Sequence, residues 1–198
     1  MNLASVRHDF ETISKWVAPG SKVLDLGCGD GALLSYLAKN RAIRGYGVEI
    51  DDSNILACVK NKVNVIQSDL ESGLSGFESS SFDYVILSQT LQAMKNTESI
   101  VQEMLRVGRE VIVTFPNFGY WQNRLQILRG KMPVSSNLPF QWYDSPNIRL
   151  CTTRDFEDFC ALHGVNILER IVINNRGVVS FLPNLFGTLA VFRFTKGG

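Results

Sequence analysis

Metal ligands and paired thiols are scarce in this sequence. It contains two histidines and four cysteines, and no two of the cysteines stand in a C-x-x-C pair: Cys28, Cys58, Cys151 and Cys160. Such a pair is the usual mark of a zinc site or a redox motif. The sequence therefore predicts no metal site and no disulfide framework, and it favours a compartment in which thiols stay reduced.

Excess charge and long apolar runs are also lacking. The 198 residues carry 20 lysines and arginines against 19 aspartates and glutamates. A nucleic-acid partner normally requires a strongly basic face, so this balance argues against one. No apolar run approaches the ~20 residues that span a bilayer, and the polar start shows no signal peptide. We expect one domain over residues 1–198, in the cytoplasm, bound to neither nucleic acid nor membrane.

The most informative stretch that is present runs from Val23 to Ala32. Apolar residues around Asp25 indicate a buried strand, and the glycines Gly27, Gly29 and Gly31 indicate a tight turn that leads into a helix. Glycine tolerates positive φ and has no Cβ, so a ligand can lie directly against this backbone. Free N–H groups at the helix start point towards such a ligand. The stretch therefore predicts a nucleotide-type site.

Two classes of cofactor fit this glycine pattern. Residues 27–32 satisfy the dinucleotide pattern G-x-G-x-x-G/A, and residues 27–31 also satisfy G-x-G-x-G. Asp25 favours one of them, because a carboxylate near the strand end repels a pyrophosphate but can hold an ammonium group. S-adenosylmethionine has no phosphate and has a cationic amino-acid tail. It is favoured over a nicotinamide cofactor, which remains the weaker alternative.

Two further acids end the next predicted strands. Glu49 closes an apolar run and is expected to accept hydrogen bonds from both ribose hydroxyls. Asp69 closes the third strand and is placed to contact the adenine amino group, while Leu70 covers the ring. The predicted cofactor site comprises residues at the ends of the first four strands: Asp25, Gly27, Cys28, Gly29, Gly31, Glu49, Ile50, Asp69, Leu70 and Ser88.

No catalytic residue can be assigned beside this site. Enzymes that methylate amines of nucleic-acid bases resemble one another in an Asn- or Asp-Pro-Pro-aromatic tetrapeptide at the end of the fourth strand, and this chain has Ser88-Gln89-Thr90-Leu91 there. Methylation of such amines is therefore not expected. No histidine, cysteine or further carboxylate stands where we would predict a general base.

Strands and helices alternate along most of the chain, which predicts an α/β fold with a doubly wound parallel sheet. Residues 116–150, the aromatic segment, depart from this alternation and contain one short predicted helix, at 120–128. Three interpretations stay open: a substrate lid, a docking surface for another protein, or a cover for the sheet edge. Aromatic and arginine side chains typical of interface centres favour docking. The candidate contacts are Tyr120, Trp121, Arg124, Trp142 and Tyr143.

Residues 23–31, 47–51 and 68–70 resemble the first three motifs of class I S-adenosylmethionine-dependent methyltransferases. The wider chain is similar to one family with this fold, the MetW proteins of methionine biosynthesis. The similar stretches are Arg7-His8-Asp9, Trp16, Pro19-Gly20-Ser21, residues 25–31, residues 115–121 and Arg149-Leu150-Cys151-Thr152. The resemblance implies a doubly wound, mostly parallel seven-stranded Rossmann-like sheet with an antiparallel last strand. It also implies S-adenosylmethionine or S-adenosylhomocysteine as cofactor.

The resemblance further implies a partner. MetW proteins are associated with the homoserine O-acyltransferase of methionine biosynthesis, so an accessory protein that acts with or activates this enzyme is the favoured function. The alternative is an active methyltransferase that holds a small-molecule acceptor in the aromatic segment.

Overall fold

An eight-stranded sheet forms the centre of the computed structural model, which describes residues 8–197. Its strands, in chain order, are β1 Lys22–Leu26, β2 Arg44–Glu49, β3 Asn64–Gln67, β4 Phe82–Ser88, β5 Gly108–Pro116, β6 Val165–Asn174, β7 Gly177–Val178 and β8 Leu189–Lys196. The helices are α1 His8–Trp16, α2 Ala32–Arg41, α3 Asp52–Lys60, α4 Thr97–Val107, α5 Trp121–Leu128, α6 Thr153–Leu162 and α7 Pro183–Phe186. Short 3₁₀ turns lie at Leu70–Ser72 and Leu91–Ala93.

The order of strands across the sheet is β3-β2-β1-β4-β5-β8-β6-β7. Strands β1 to β5 pair in parallel, and β8 pairs antiparallel with both β5 and β6. The predicted mostly parallel sheet with an antiparallel last strand is therefore confirmed. All seven predicted strands are present, and the two-residue β7 adds an eighth by forming a hairpin with the end of β6.

Helices pack on both faces of the sheet, as expected for a doubly wound fold. Side chains alternate along β1, so Val23 joins the cluster under α1 and α2 while Leu24 and Leu26 join the cluster under α4 and α6. On the α4–α6 face, the Phe156 ring contacts those of Phe115 and Phe192, with centroid distances of 5.1 and 4.8 Å. Burial of each large apolar side chain contributes about 1.5–3 kcal/mol to stability.

The aromatic segment contains α5 and little other regular structure. The predicted helix is present, but its apolar side chains stay at the surface, with Leu128 83% exposed and Trp121 40% exposed. Beyond α5 the segment has turns and one isolated bridge, between Ser135 and Leu138. None of the helices in the described part of the chain has the length and apolar character needed to cross a bilayer.

Candidate functional site

The parallel order of β3, β2, β1 and β4 brings the predicted acids to one edge of the sheet. Asp25 is the penultimate residue of β1, Glu49 is the last residue of β2, and Asp69 follows β3 by two residues. Ser88 ends β4 on the other side of β1. In open α/β sheets, ligands bind beyond the carboxyl ends of the strands, so this edge is the candidate site.

The glycine turn between β1 and α2 depends on left-handed backbone. Gly27, Gly29 and Gly31 have φ values of +65°, +56° and +76°, which side chains with a Cβ rarely adopt. Gly31 is also the residue that precedes the first turn of α2. Each predicted part, strand, turn and helix, is therefore present at this position.

Cys28 lies in the glycine turn, but its side chain is buried in the core. Its Sγ is 3.7 Å from the Sγ of Cys58, and a Cβ at Gly47 would lie only 2.4 Å from it, so Gly47 has to be glycine. Burial, followed by the charge of Asp25, raises the pKa of the Cys28 thiol far above its usual range. Cys28 can therefore contact a ligand only through its backbone.

Asp25 is buried and incompletely hydrogen-bonded. The side chain is 2% exposed, and its Oδ1 makes no hydrogen bond within residues 8–197. Burial, and then the nearby charge of Glu49, raises the pKa of Asp25 to about 8. A cation placed against this carboxyl group would lower its pKa and give the free oxygen a partner.

Glu49 fastens the glycine turn to the end of β2. Its Oε2 accepts a hydrogen bond from the Gly29 N–H at 2.9 Å, and its Oε1 accepts from the N–H groups of Ile50 and Asp51 at 2.8 and 3.0 Å. A carboxylate has about four acceptor positions, so about one remains for a ligand hydroxyl. Residue types alone do not indicate these three hydrogen bonds, because they depend on the direction of three backbone N–H groups.

The predicted adenine contacts Asp69 and Leu70, together with the predicted cofactor residue Ile50, form an open surface beside Glu49. Ile50 is 59% exposed, and Leu70 is partly buried against the core. Asp69 is exposed, and its Oδ1 accepts a hydrogen bond from the Glu71 N–H at 2.9 Å. The Ser68 N–H donates to the Glu49 carbonyl at 3.1 Å, which keeps the ends of β2 and β3 together.

Gln89 is a residue of this edge that the predicted set lacks. Ser88, before it, shares a hydrogen bond with Thr114 (Oγ to Oγ1, 3.1 Å), and Gln89 itself has φ +53°. A left-handed non-glycine residue carries backbone strain, which is common at functional sites. Its Nε2 donates to Asp9 of α1 at 3.3 Å, so Gln89 joins α1 to the carboxyl edge. Its amide could hydrogen-bond a ligand by residue type alone, and the backbone angle shows in addition that the position is strained.

Four of the five predicted contact residues of the aromatic segment form two separate pairs. Tyr120 and Trp121 pack with ring centroids 5.9 Å apart, and they line a pocket near α7. Trp142 and Tyr143 are 76% and 70% exposed and pack at 5.6 Å. The Arg124 Nε donates to the Gly119 carbonyl at 2.6 Å, which ties this side chain to its own segment.

Asn117 anchors the start of the aromatic segment. It is 1% exposed, and its Nδ2 donates to the carbonyls of Asn184 and Gly187 at 3.0 and 2.9 Å. Its Oδ1 accepts a hydrogen bond from the Gly119 N–H at 3.0 Å. The segment therefore leaves β5 from a fixed point against the loop that contains α7.

Solved structures with similar folds include S-adenosylmethionine-dependent methyltransferases. The match to one from Thermotoga maritima covers 96% of this chain and 88% of the Thermotoga chain, with TM-score 0.65 and 18% identity. The match to one from Aquifex aeolicus covers 94% of this chain and 88% of the Aquifex chain, with TM-score 0.64 and 16% identity. The match to the [4+2]-cyclase SpnF covers 95% of this chain and 80% of the SpnF chain, with TM-score 0.68 and 17% identity. These likenesses show the class I methyltransferase fold and do not fix a reaction.

Sequence comparison identifies the family. Residues 7–194 match the family described as methionine biosynthesis protein MetW. A curated relative from Rhodopirellula baltica, the bifunctional methionine biosynthesis protein MetXA/MetW, is 39% identical over 173 residues. The match covers 82% of this chain and 28% of that relative, so the chain spans less than a third of the relative's length. The chain belongs to the MetW family of methionine biosynthesis proteins.

Proposed function

We propose that this protein binds S-adenosylmethionine or S-adenosylhomocysteine at the carboxyl edge and acts with a homoserine O-acyltransferase in methionine biosynthesis. The state of Asp25 carries the cofactor assignment: a buried carboxyl group with a free oxygen and a pKa of about 8, beside Glu49. Two buried acids side by side favour a cationic ligand and disfavour a pyrophosphate. A nicotinamide dinucleotide is therefore the poorer fit.

The residues at this edge suit the parts of the proposed cofactor. Asp25 would hold the ammonium group of the amino-acid tail, and Glu49 would accept from a ribose hydroxyl. Asp69 would accept from the adenine amino group, with the apolar surfaces of Ile50 and Leu70 against the ring. The glycine turn lets the ligand lie close to the backbone. The methyl group of S-adenosylmethionine would supply alkylating chemistry if an acceptor were present.

The surroundings of Cys151 and Cys160 give no support for chemistry by a thiol at either position. Burial, followed by a neighbouring acid in each case, raises the pKa of both Cys151 and Cys160 to about 12. Both thiols are therefore uncharged at neutral pH, and a thiol in that form is a poor nucleophile. This favours an accessory role over methyl transfer by way of a cysteine.

The partner assignment rests on the fused relative and on the aromatic segment. The name of the Rhodopirellula baltica protein, a bifunctional methionine biosynthesis protein, joins MetXA to MetW in one polypeptide. Two functions that are joined in one chain often belong to one assembly. In this chain, Trp142 and Tyr143 are largely exposed, and aromatic side chains of this kind dominate binding energy in many interfaces.

Calorimetry with S-adenosylhomocysteine tests the cofactor site. We expect Glu49→Ala to weaken binding about ten-fold or more, because a hydrogen bond to a carboxylate contributes ~1.5–3 kcal/mol. Glu49→Gln retains one acceptor oxygen for the glycine turn and should lie between the two. Glu78→Ala is the matched control, since Glu78 is exposed in the loop before β4.

Two results would contradict the assignment. An unchanged dissociation constant in Glu49→Ala would show that the ribose does not contact this residue. Binding of NAD in place of S-adenosylhomocysteine would show that the glycine turn holds a pyrophosphate.

A further inference from the structure

A cavity of about 390 Å³ lies between the 91–93 turn, the last part of the aromatic segment and α6. Its apolar wall is formed by Leu91, Phe115, Leu138, Phe156 and Phe159. The volume falls in the range of ~300–1,000 Å³ that small-molecule sites occupy. None of the residues predicted to bind the cofactor lines it.

The cavity lies beyond the carboxyl ends of β4 and β5, and no residue of β1 or β2 lines it. Its phenylalanine wall belongs to the cluster under α4 and α6. Asp25 alternates with Leu24 along β1 and so points, with Val23, to the α1–α2 face. A ligand in the cavity would therefore lie on the other side of the sheet from the Asp25 carboxyl group.

Two residues that line the cavity each carry a buried polar atom with no hydrogen-bond partner within residues 8–197. The two atoms are Gln92 Oε1 and Thr97 Oγ1. The Nε2 of Gln92 donates to the Gln89 carbonyl at 2.6 Å, which leaves its oxygen as the free end of the amide. Buried polar atoms without partners are costly, and each requires an explanation such as a bound water, ion or ligand. Because an amide oxygen only accepts hydrogen bonds, a ligand that pairs with the Gln92 Oε1 has to be a donor.

Charges of both signs also line the cavity. The Arg149 Nη2 donates to the Lys95 carbonyl at 2.7 Å, and Arg149 joins no ion pair in the described part of the chain. Asp155 accepts a hydrogen bond from the Thr152 N–H through Oδ2, at 2.8 Å, and within residues 8–197 its Oδ1 accepts none. Asp155 and Cys151 both line the cavity, and the charge of Asp155 adds to burial in raising the pKa of the Cys151 thiol.

We propose that this cavity binds an apolar α-amino acid. The ligand carboxylate lies against Arg149 and the Thr97 hydroxyl. The ammonium group donates to Gln92 Oε1 and faces Asp155, and the apolar side chain packs among the phenylalanines. A simple carboxylic acid would leave Gln92 without a donor, and a simple amine would leave Arg149 without an anion. This site needs neither the cofactor nor the partner enzyme, so it goes beyond the proposed function.

The wall of the cavity connects it to the aromatic segment. The Gln92 carbonyl accepts hydrogen bonds from the N–H groups of Ile148 and Arg149, both at 2.9 Å. Leu138 and Leu150 line this cavity and also a neighbouring cavity of about 100 Å³ that Trp142 lines. Occupancy should therefore change the surroundings of Trp142.

Calorimetry with L-methionine, L-leucine and L-phenylalanine tests the site, with D-methionine and L-lysine as comparison ligands. We expect saturable binding of at least one of the three apolar L-amino acids. Arg149→Met should weaken it about ten-fold or more, and Thr97→Val about three-fold or more. Arg154→Met, which removes an exposed arginine from α6 outside the cavity, should leave the affinity unchanged. Binding should also shift tryptophan fluorescence in the wild type but not in Trp142→Phe.

Three results would overturn the proposal. The first is no saturable binding of any of the three amino acids at about 10 mM. The second is equal affinity in the wild type and in Arg149→Met, provided that thermal unfolding shows both proteins folded. The third is displacement of the amino acid by S-adenosylhomocysteine, which would place it in the cofactor site. Failure of S-adenosylhomocysteine to bind at all would contradict the proposed cofactor site but would not contradict amino-acid binding in this cavity.

Discussion

Asp25 combines 2% exposure, a free carboxylate oxygen and a pKa near 8 at the end of β1. An acid in this state costs stability, because the folded protein has to keep it protonated or bury its charge. Proteins commonly accept such a cost where a ligand later relieves it. Within residues 8–197, the titratable groups around Asp25 include Glu49 and the thiols of Cys28 and Cys58, and the Glu49 charge contributes to its raised pKa.

Asp25→Asn is expected to stabilise the ligand-free protein in a pH-dependent way. The pKa of Asp25 is about 8 when folded against a usual value of 3.8, so the folded state binds more protons between these limits. Stability therefore falls as pH rises from about 4 to about 8 and then levels off. Asparagine removes this loss, so the variant should gain ~2 kcal/mol or more at pH 8 and less at pH 5.

Urea unfolding at pH 5 and pH 8 measures the gain, and Asp158→Asn on the exposed side of α6 is the control. A stability difference between Asp25→Asn and wild type that is equal at both pH values would contradict the raised pKa. The same variant should bind S-adenosylhomocysteine more weakly than the wild type, since it lacks the charge that attracts the ammonium group.

At single positions, the sequence predicts which acids come together but not how they are held. Asp25, Glu49 and Asp69 follow successive parallel strands, and strand ends of one direction must meet at one edge. The three N–H groups on Glu49 and the left-handed Gln89 depend on backbone angles, which residue types do not encode. Cys28 is in the predicted site by its position in the motif, whereas its side chain lies in the core.

Among the elements, the junction of β5 with α5 is the best-defined anchor of the aromatic segment. Asn117 links it to the loop around α7 through three hydrogen bonds to backbone groups. Gly119 must approach Asn184 closely, since a Cβ there would lie 2.4 Å from the Asn184 Oδ1. The orientation of α5 therefore depends on residues more than 60 positions later in the chain.

Asn117→Ala should destabilise the protein by ~3 kcal/mol or more, because it leaves three buried backbone groups without partners at ~1–3 kcal/mol each. Urea unfolding measures this loss. Asn166→Ala, at an exposed position of β6, is the control and should change stability by less than ~0.5 kcal/mol. A loss in Asn117→Ala no larger than the control's would show that the junction is held by other contacts.

Longer elements are predictable from the sequence, and short ones are not. Strands β1 to β6 and β8 have enough residues for an apolar pattern, and so do the helices that cover them. Strand β7 has two residues and α7 has four, so neither carries a periodic signal. The exposed apolar face of α5 also differs from the usual pattern, because periodicity predicts a buried face and does not say what covers it.

In the whole molecule, the proposed cofactor site and the aromatic segment are joined through the loops that follow β4 and β5. The 91–93 turn begins three residues beyond Ser88, and its Gln92 carbonyl holds residues 148 and 149. A change at the carboxyl edge can therefore reach the segment through a short path. For the cofactor to regulate a partner, its affinity for the free protein and for the complex must differ.

We propose that this protein supports a homoserine O-acyltransferase. The most direct measurement is the rate of acyl transfer by that enzyme at fixed concentration, as increasing amounts of this chain are added. We expect the rate to rise and saturate. Trp142→Ala should raise the concentration needed for half the effect about thirty-fold, the scale of a single large aromatic contact in an interface. Val59→Ala, which trims an exposed apolar side chain on α3, should behave as the wild type. A rate that stays constant as the wild-type chain is added would contradict the claim.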